Sequence, residues 1–177
     1  MKIIRFDELK AVPWKNGLGI TRELAVEPAG ASMEDFAWRV SIADVDTASP
    51  FSVFPGIDRT IVLLEGAGFT MVIDGEREHA LTTPCEPFAF PGEAKVDVRL
   101  AGGATRDFNL MVRRGVGNAR VEVLRGPGEF DGATVAYVVE GTGTADGHPV
   151  STGDSIFDAE RLTLAADARA IAIHTEE

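Results

Sequence analysis

Ten polar side chains within the first 114 residues have the chemistry needed to hold a small anion: Lys15, Asn16, Thr21, Arg22, Arg39, Ser41, Asp58, Arg59, Asn109 and Arg113. A guanidinium fork matches a carboxylate through two parallel N–H···O bonds, and amides and hydroxyls orient the remainder of a ligand. Trp14, Trp38, Phe51 and Phe54 lie among these residues and supply apolar walls for a cavity. Lys15, Asn16, Thr21 and Arg22 fall in an irregular segment ahead of a strand, and Asp58 and Arg59 precede an apolar run. Arg39 and Ser41 project from one strand face, whereas Asn109 and Arg113 share a face with Asp107 and Met111. Each residue singly also fits an ion pair, such as Arg22 with a carboxylate beside Glu23, Arg59 with Asp58, or Arg113 with Asp107. Together, beside so many aromatic rings, they point to one pocket for a small carboxylate.

Catalysis finds less support. No Gly-x-Ser-x-Gly elbow is present, and Cys85 has no histidine or basic residue near it in sequence, so an inert thiol is expected. Gly17-Leu18-Gly19 follows no strand and opens no helix, which argues against a nucleotide loop. Lys15, Glu23 and Asp58 are the acid–base candidates for a metal-independent isomerase or hydrolase, the alternative to a binding protein. A protein-binding regulator that uses a sheet edge or an apolar patch is the third reading.

These side chains must be positioned by strands. Phe36-Ala37-Trp38-Arg39-Val40-Ser41-Ile42 alternates with period two, as do Val96–Leu100 and Phe108–Arg113. Thr60–Leu64 and Gly68–Ile73 are short apolar runs, the second closed by the hairpin dipeptide Asp74-Gly75; Val135–Val139 and Arg169–Ile173 read as late strands. Nineteen glycines and nine prolines punctuate the runs, and no long stretch keeps a helical period, so the chain is expected to be all-β. Ile61–Gly68 is echoed by Ala136–Gly143, each an apolar strand running into Glu-Gly-x-Gly and then an Asp-Gly turn. This suggests an internal repeat in which Glu65 and Glu140 serve the turns. A single cysteine fits a reducing compartment, and the absence of a long apolar run predicts a cytoplasmic protein with no membrane partner. The net charge of −11 opposes nucleic-acid binding. Residues 1–114 carry both tryptophans, eight of ten phenylalanines and 13 of 17 basic side chains, so the pocket is expected there.

Four dense motifs carry a resemblance: Pro13-Trp14-Lys15-Asn16-Gly17-Leu18-Gly19-Ile20-Thr21-Arg22-Glu23, Phe36–Ala43, Pro50–Arg59 and Asp107–Arg114. In this order they resemble the HutD/Ves family of bacterial cupin-like proteins. The resemblance implies a bicupin, with two jelly-roll-like β-barrel halves at 1–114 and 115–177, and for some members a link to histidine utilisation. Leu18 stands where the family tends to have the middle of three glycines, and its Cβ bars close backbone approach to a ligand there. Ordinary cupins hold a metal with a histidine pair, a glutamate and a later histidine. Here there are only His79, His148 and His174, and Arg59 falls about where the glutamate ligand would lie, so no metal and no cofactor are expected. The reading that follows is a metal-independent carboxylate binder, formylglutamate being one example, that modulates amino-acid catabolism. Homodimerisation through the sheets is left open.

Overall fold

The structure is a computed structural model and describes residues 1–176. Alternating apolar residues make the strands, and glycine-rich turns end them, so the described chain contains eighteen strands and no α-helix. The first ten are β1 (Lys2–Ile4), β2 (Ala11–Pro13), β3 (Gly19–Glu27), β4 (Trp38–Val45), β5 (Ile57–Glu65), β6 (Phe69–Ile73), β7 (Arg77–Leu81), β8 (Phe88–Pro91), β9 (Val96–Leu100) and β10 (Thr105–Arg113). The remainder are β11 (Ala119–Arg125), β12 (Gly128–Asp131), β13 (Val135–Glu140), β14 (Thr142–Ala145), β15 (His148–Ser151), β16 (Ser155–Phe157), β17 (Arg161–Leu164) and β18 (Arg169–Thr175). The all-β expectation holds. Among the described residues no helix is long and apolar enough to cross a membrane.

Two compact units form. One is Lys10–Asn118; the other joins Met1–Leu9 to the chain from Ala119 onward. The expected division at 114/115 therefore moves a few residues, and the first nine residues leave the first half. The reason is local: β1 pairs antiparallel with β16, and Ile3 packs on a core of Leu124, Val138, Ile156, Leu164 and Ala170.

In the Lys10–Asn118 unit a six-stranded sheet runs β2-β3-β4-β10-β5-β8, and a three-stranded sheet runs β7-β6-β9. Ile61, Leu63, Phe69, Met71, Ile73, Leu81, Val96 and Val98 form its core. The second unit has sheets β1-β16-β13-β18-β11 and β12-β17-β14-β15. The order β4-β10-β5-β8 thus recurs as β11-β18-β13-β16, and β7-β6-β9 recurs as β15-β14-β17. The echo in sequence is an echo in topology. Gly66 and Gly141 take φ of 95° and 90°, a left-handed conformation that glycine alone adopts freely, immediately after β5 and β13. Glu65 and Glu140 each face an arginine across the ladder, Arg106 at 3.5 Å and Arg169 at 2.6 Å. Asp74-Gly75 and Asp146-Gly147 both have two positive φ values, the signature of type I′ hairpin turns.

Candidate functional site

Strand parity builds the site. Along β4, Trp38, Val40 and Ile42 are buried on one face, which leaves Arg39, Ser41 and Ala43 on the other. Along β10, Asp107, Asn109 and Met111 share the corresponding face. The register sets three rows across the sheet. Met111 lies between Arg39 and Arg59, Asn109 between Ser41 and Ile61, and Asp107 between Ala43 and Leu63. Apart from Leu63, the residues of these rows form one wall of a cavity of about 600 Å³. The hairpin β2–β3 contributes Trp14, Lys15, Asn16 and Thr21, and the segment between β4 and β5 contributes Phe51 and Phe54.

Each wall is held by identifiable contacts. The Trp14 indole donates its Nε1–H to Thr21 Oγ1 at 2.7 Å, which fixes the ring against the sheet. Asn16 Oδ1 accepts a bond from the Leu18 amide at 3.0 Å, which shapes the hairpin tip. The Phe51 amide donates to Val96 O and the Phe54 amide to Gly92 O, at 2.9 and 2.7 Å. Gly92 permits that approach, because a Cβ there would meet Phe54 O at 2.4 Å and Ile57 O at 2.7 Å.

Arg59 is the electrostatic centre. It is 8% exposed, and its guanidinium carbon lies 4.9, 5.2 and 5.4 Å from the ring centres of Phe90, Phe51 and Phe54. No carboxylate among the described residues forms an ion pair with it, and its buried Nε has no hydrogen-bond partner. Burial, with the Arg39 cation adding, brings the guanidinium down to about 10. Arg39 is bound by Glu23 at 2.8 Å. Asp107 is 1% exposed, and its Oδ1 also lacks a partner. Burial, reinforced by Asp44, pushes its carboxyl up to about 8.

The structure gathers Lys15, Asn16, Thr21, Arg39, Ser41, Arg59 and Asn109 around the cavity, with Trp14, Phe51 and Phe54 as walls. Four expected site residues lie elsewhere. Arg22 alternates with Thr21 to the opposite face of β3 and bonds Asp44 at 2.7 Å, where Arg106 also binds. Burial alone would raise the Asp44 carboxyl, but the bonds from Arg106 and Arg22 hold it below its ordinary value. Asp58 is exposed on the face opposite Arg59 and pairs with Arg114 at 2.6 Å. Arg113 closes the strand end, donating to Phe36 O and Glu34 O at 2.8 Å each. Trp38 is a core residue on the reverse of β4. The ion pairs weighed for Arg59 with Asp58 and Arg113 with Asp107 do not form. Asp107 and Met111, which strand parity puts on the face of Asn109, also line the cavity. The three histidines lie outside the cavity lining, and among the described residues no cluster of His, Cys, Asp or Glu is placed to hold a metal.

The strand content and order are those of a cupin-like all-β fold. Similar folds occur in the protein YlbA from E. coli (TM-score 0.68, 14% identity, covering 98% of this chain and 90% of that one) and a cupin 2 conserved barrel domain protein from Leptotrichia buccalis (0.61, 11%, 99% and 96%). The HutD family model matches residues 7–174, and the chain belongs to the HutD family. It is 37% identical over 137 residues to an uncharacterized 21.2 kDa protein in the hutC 3′ region of Pseudomonas putida, covering 77% of this chain and 68% of that protein. It is 39% identical to protein Ves of Cronobacter sakazakii over 124 residues, or 68% of this chain and 66% of that one. The structure of HutD from Pseudomonas fluorescens aligns with TM-score 0.82 at 30% identity, covering 99% of each chain. A conserved protein of unknown function from Pseudomonas aeruginosa aligns at 0.84 and 33%, covering 99% of this chain and 98% of its own.

Proposed function

We propose that this protein is a metal-independent bicupin that binds a small carboxylate metabolite in the Lys10–Asn118 unit and thereby modulates amino-acid catabolism in the cytoplasm. The observation that carries this reading is Arg59: a buried guanidinium with no counter-ion among the described residues, facing a cavity beside a second arginine. Burying a charge without a partner is costly, so such a group is kept where a ligand completes it. Arg39, Ser41 and Asn109 line the same wall and offer further donors. The two-half reading is supported by the recurrence of strand order and of the Glu–Arg pair in both units. The family resemblance implies a link to histidine utilisation for some members, and one relative lies in a hutC 3′ region, so carboxylates from histidine breakdown, formylglutamate among them, are the first compounds to try.

The test is a thermal-shift and calorimetric screen of such carboxylates with and without EDTA. The expected result is a ligand that raises the melting temperature equally in both conditions and binds about 10–100-fold more weakly to Arg59→Met, the loss of one charge-assisted hydrogen-bonding group. A panel without any binder, or a binder indifferent to Arg59, would overturn the proposal.

A further inference from the structure

Asp107 has no part in the carboxylate reading, and a negative group beside an anion site would oppose it. Its position asks for another role. It lies on the cavity wall, its Oδ1 is buried without a partner, and its cross-strand neighbours are Ala43 and Leu63, which have no polar side-chain atoms. Thr21, beyond Ala43, is engaged by the Trp14 indole. Asp107 is four residues from Met111, the residue flanked by Arg39 and Arg59, or about 13 Å along the strand at 3.3 Å per residue. The arginines and Asp107 therefore bracket the Ser41–Asn109–Ile61 row from its two sides.

We infer that Asp107 is the second recognition point of the pocket, and that the ligand carries an N–H group at the end remote from its carboxylate, which Asp107 Oδ1 accepts. The inference rests on the carboxylate reading and adds the chemistry of the other end. A buried acceptor left unmet is destabilising, and no neighbouring side chain meets this one. Burial, with the Asp44 charge adding, holds the carboxyl up at about 8, so at neutral pH it is mostly protonated and presents an acceptor and a donor together. That edge complements an amide or similar planar group, in which N–H and an acceptor lie side by side.

The experiment compares isosteric pairs on the full chain at pH 7. Succinamate, glutaramate and adipamate are measured by calorimetry against levulinate, 5-oxohexanoate and 6-oxoheptanoate, which replace only the amide NH₂ by CH₃. At least one amide is expected to bind roughly tenfold more tightly than its ketone, the effect of one unmet hydrogen bond. Asp107→Asn, which keeps an acceptor and a donor, retains the preference; Asp107→Leu abolishes it, weakening the amide more than the ketone, whose carbonyl loses only the bond from the Asp107 hydroxyl. Equal binding of amide and ketone, both lost in Arg59→Met, would overturn the inference about Asp107 and leave the carboxylate reading standing. Failure of every acid to bind overturns both. If circular dichroism shows Asp107→Leu unfolded, the wild-type preference decides the matter alone.

Discussion

Replacing Asp107 by Asn in the ligand-free protein should change how stability depends on pH. Burial, with Asp44 adding, places the native carboxyl at about 8, whereas an unfolded aspartate titrates near 4. Between those values the native state holds a proton that the unfolded chain has released. Stability then falls as pH rises, by about 1.4 kcal/mol per pH unit for one proton. Asparagine is nearly isosteric and has no proton to lose, so this part of the slope disappears. From pH 5.5 to 7.5 the stability of Asp107→Asn relative to wild type should rise by about 2–3 kcal/mol. Other titrating groups cancel in the difference, except those that Asp107 itself perturbs: Asp44, held by Arg22 and Arg106, and the arginines Arg59 and Arg39 that face the cavity. Urea denaturation at half-unit pH steps, followed by tryptophan fluorescence, reads the quantity directly. Parallel profiles for variant and wild type across pH 5–8 would refute the reasoning, because they would mean that Asp107 ionises in the native state much as it does in water.

Two other expectations concern the same wall. Arg59→Met should be at least as stable as wild type without ligand, gaining up to ~2 kcal/mol, because removing an unpaired buried cation outweighs the loss of its contacts with Phe51, Phe54 and Phe90; thermal denaturation checks it. Gly92→Ala should cost more than about 2 kcal/mol and weaken carboxylate binding, because its Cβ would displace the Phe54 and Ile57 carbonyls; denaturation midpoints and calorimetry measure both effects.

The fold was largely legible because the strands are short, alternating and punctuated. Phe36–Ile42 showed which side of β4 is core, and Asp74-Gly75 announced its hairpin. The site was legible only to the extent that parity was respected. Asp58 and Arg59 are adjacent on one strand, so the sheet sends them to opposite faces, and the same holds for Trp38 beside Arg39 and Arg22 beside Thr21. Arg113 has the correct parity, but it sits at the strand end, where the Glu34 and Phe36 carbonyls of the segment before β4 take its guanidinium. Nothing in a single sequence tells a buried carboxyl from a solvated one. Asp107 becomes distinctive only when Ala43 and Leu63 are seen on either side of it.

The recurrence of strand order has a consequence for how such a protein can change. In β18 the residues that correspond to Asp107 and Asn109 are Ala170 and Ala172, which are fully buried in the core of their unit. One frame is thus filled with small apolar groups, and its counterpart keeps polar groups around a hollow. The register that defines each sheet, with Glu140 opposite Arg169 and Glu65 opposite Arg106, is the same whichever option is taken. The chemistry of the cavity is therefore written in a few inward positions of β4, β5 and β10 and is separable from the instructions that order the strands. A relative could exchange those positions, change what the cavity offers and keep its architecture, and a designer could do the same.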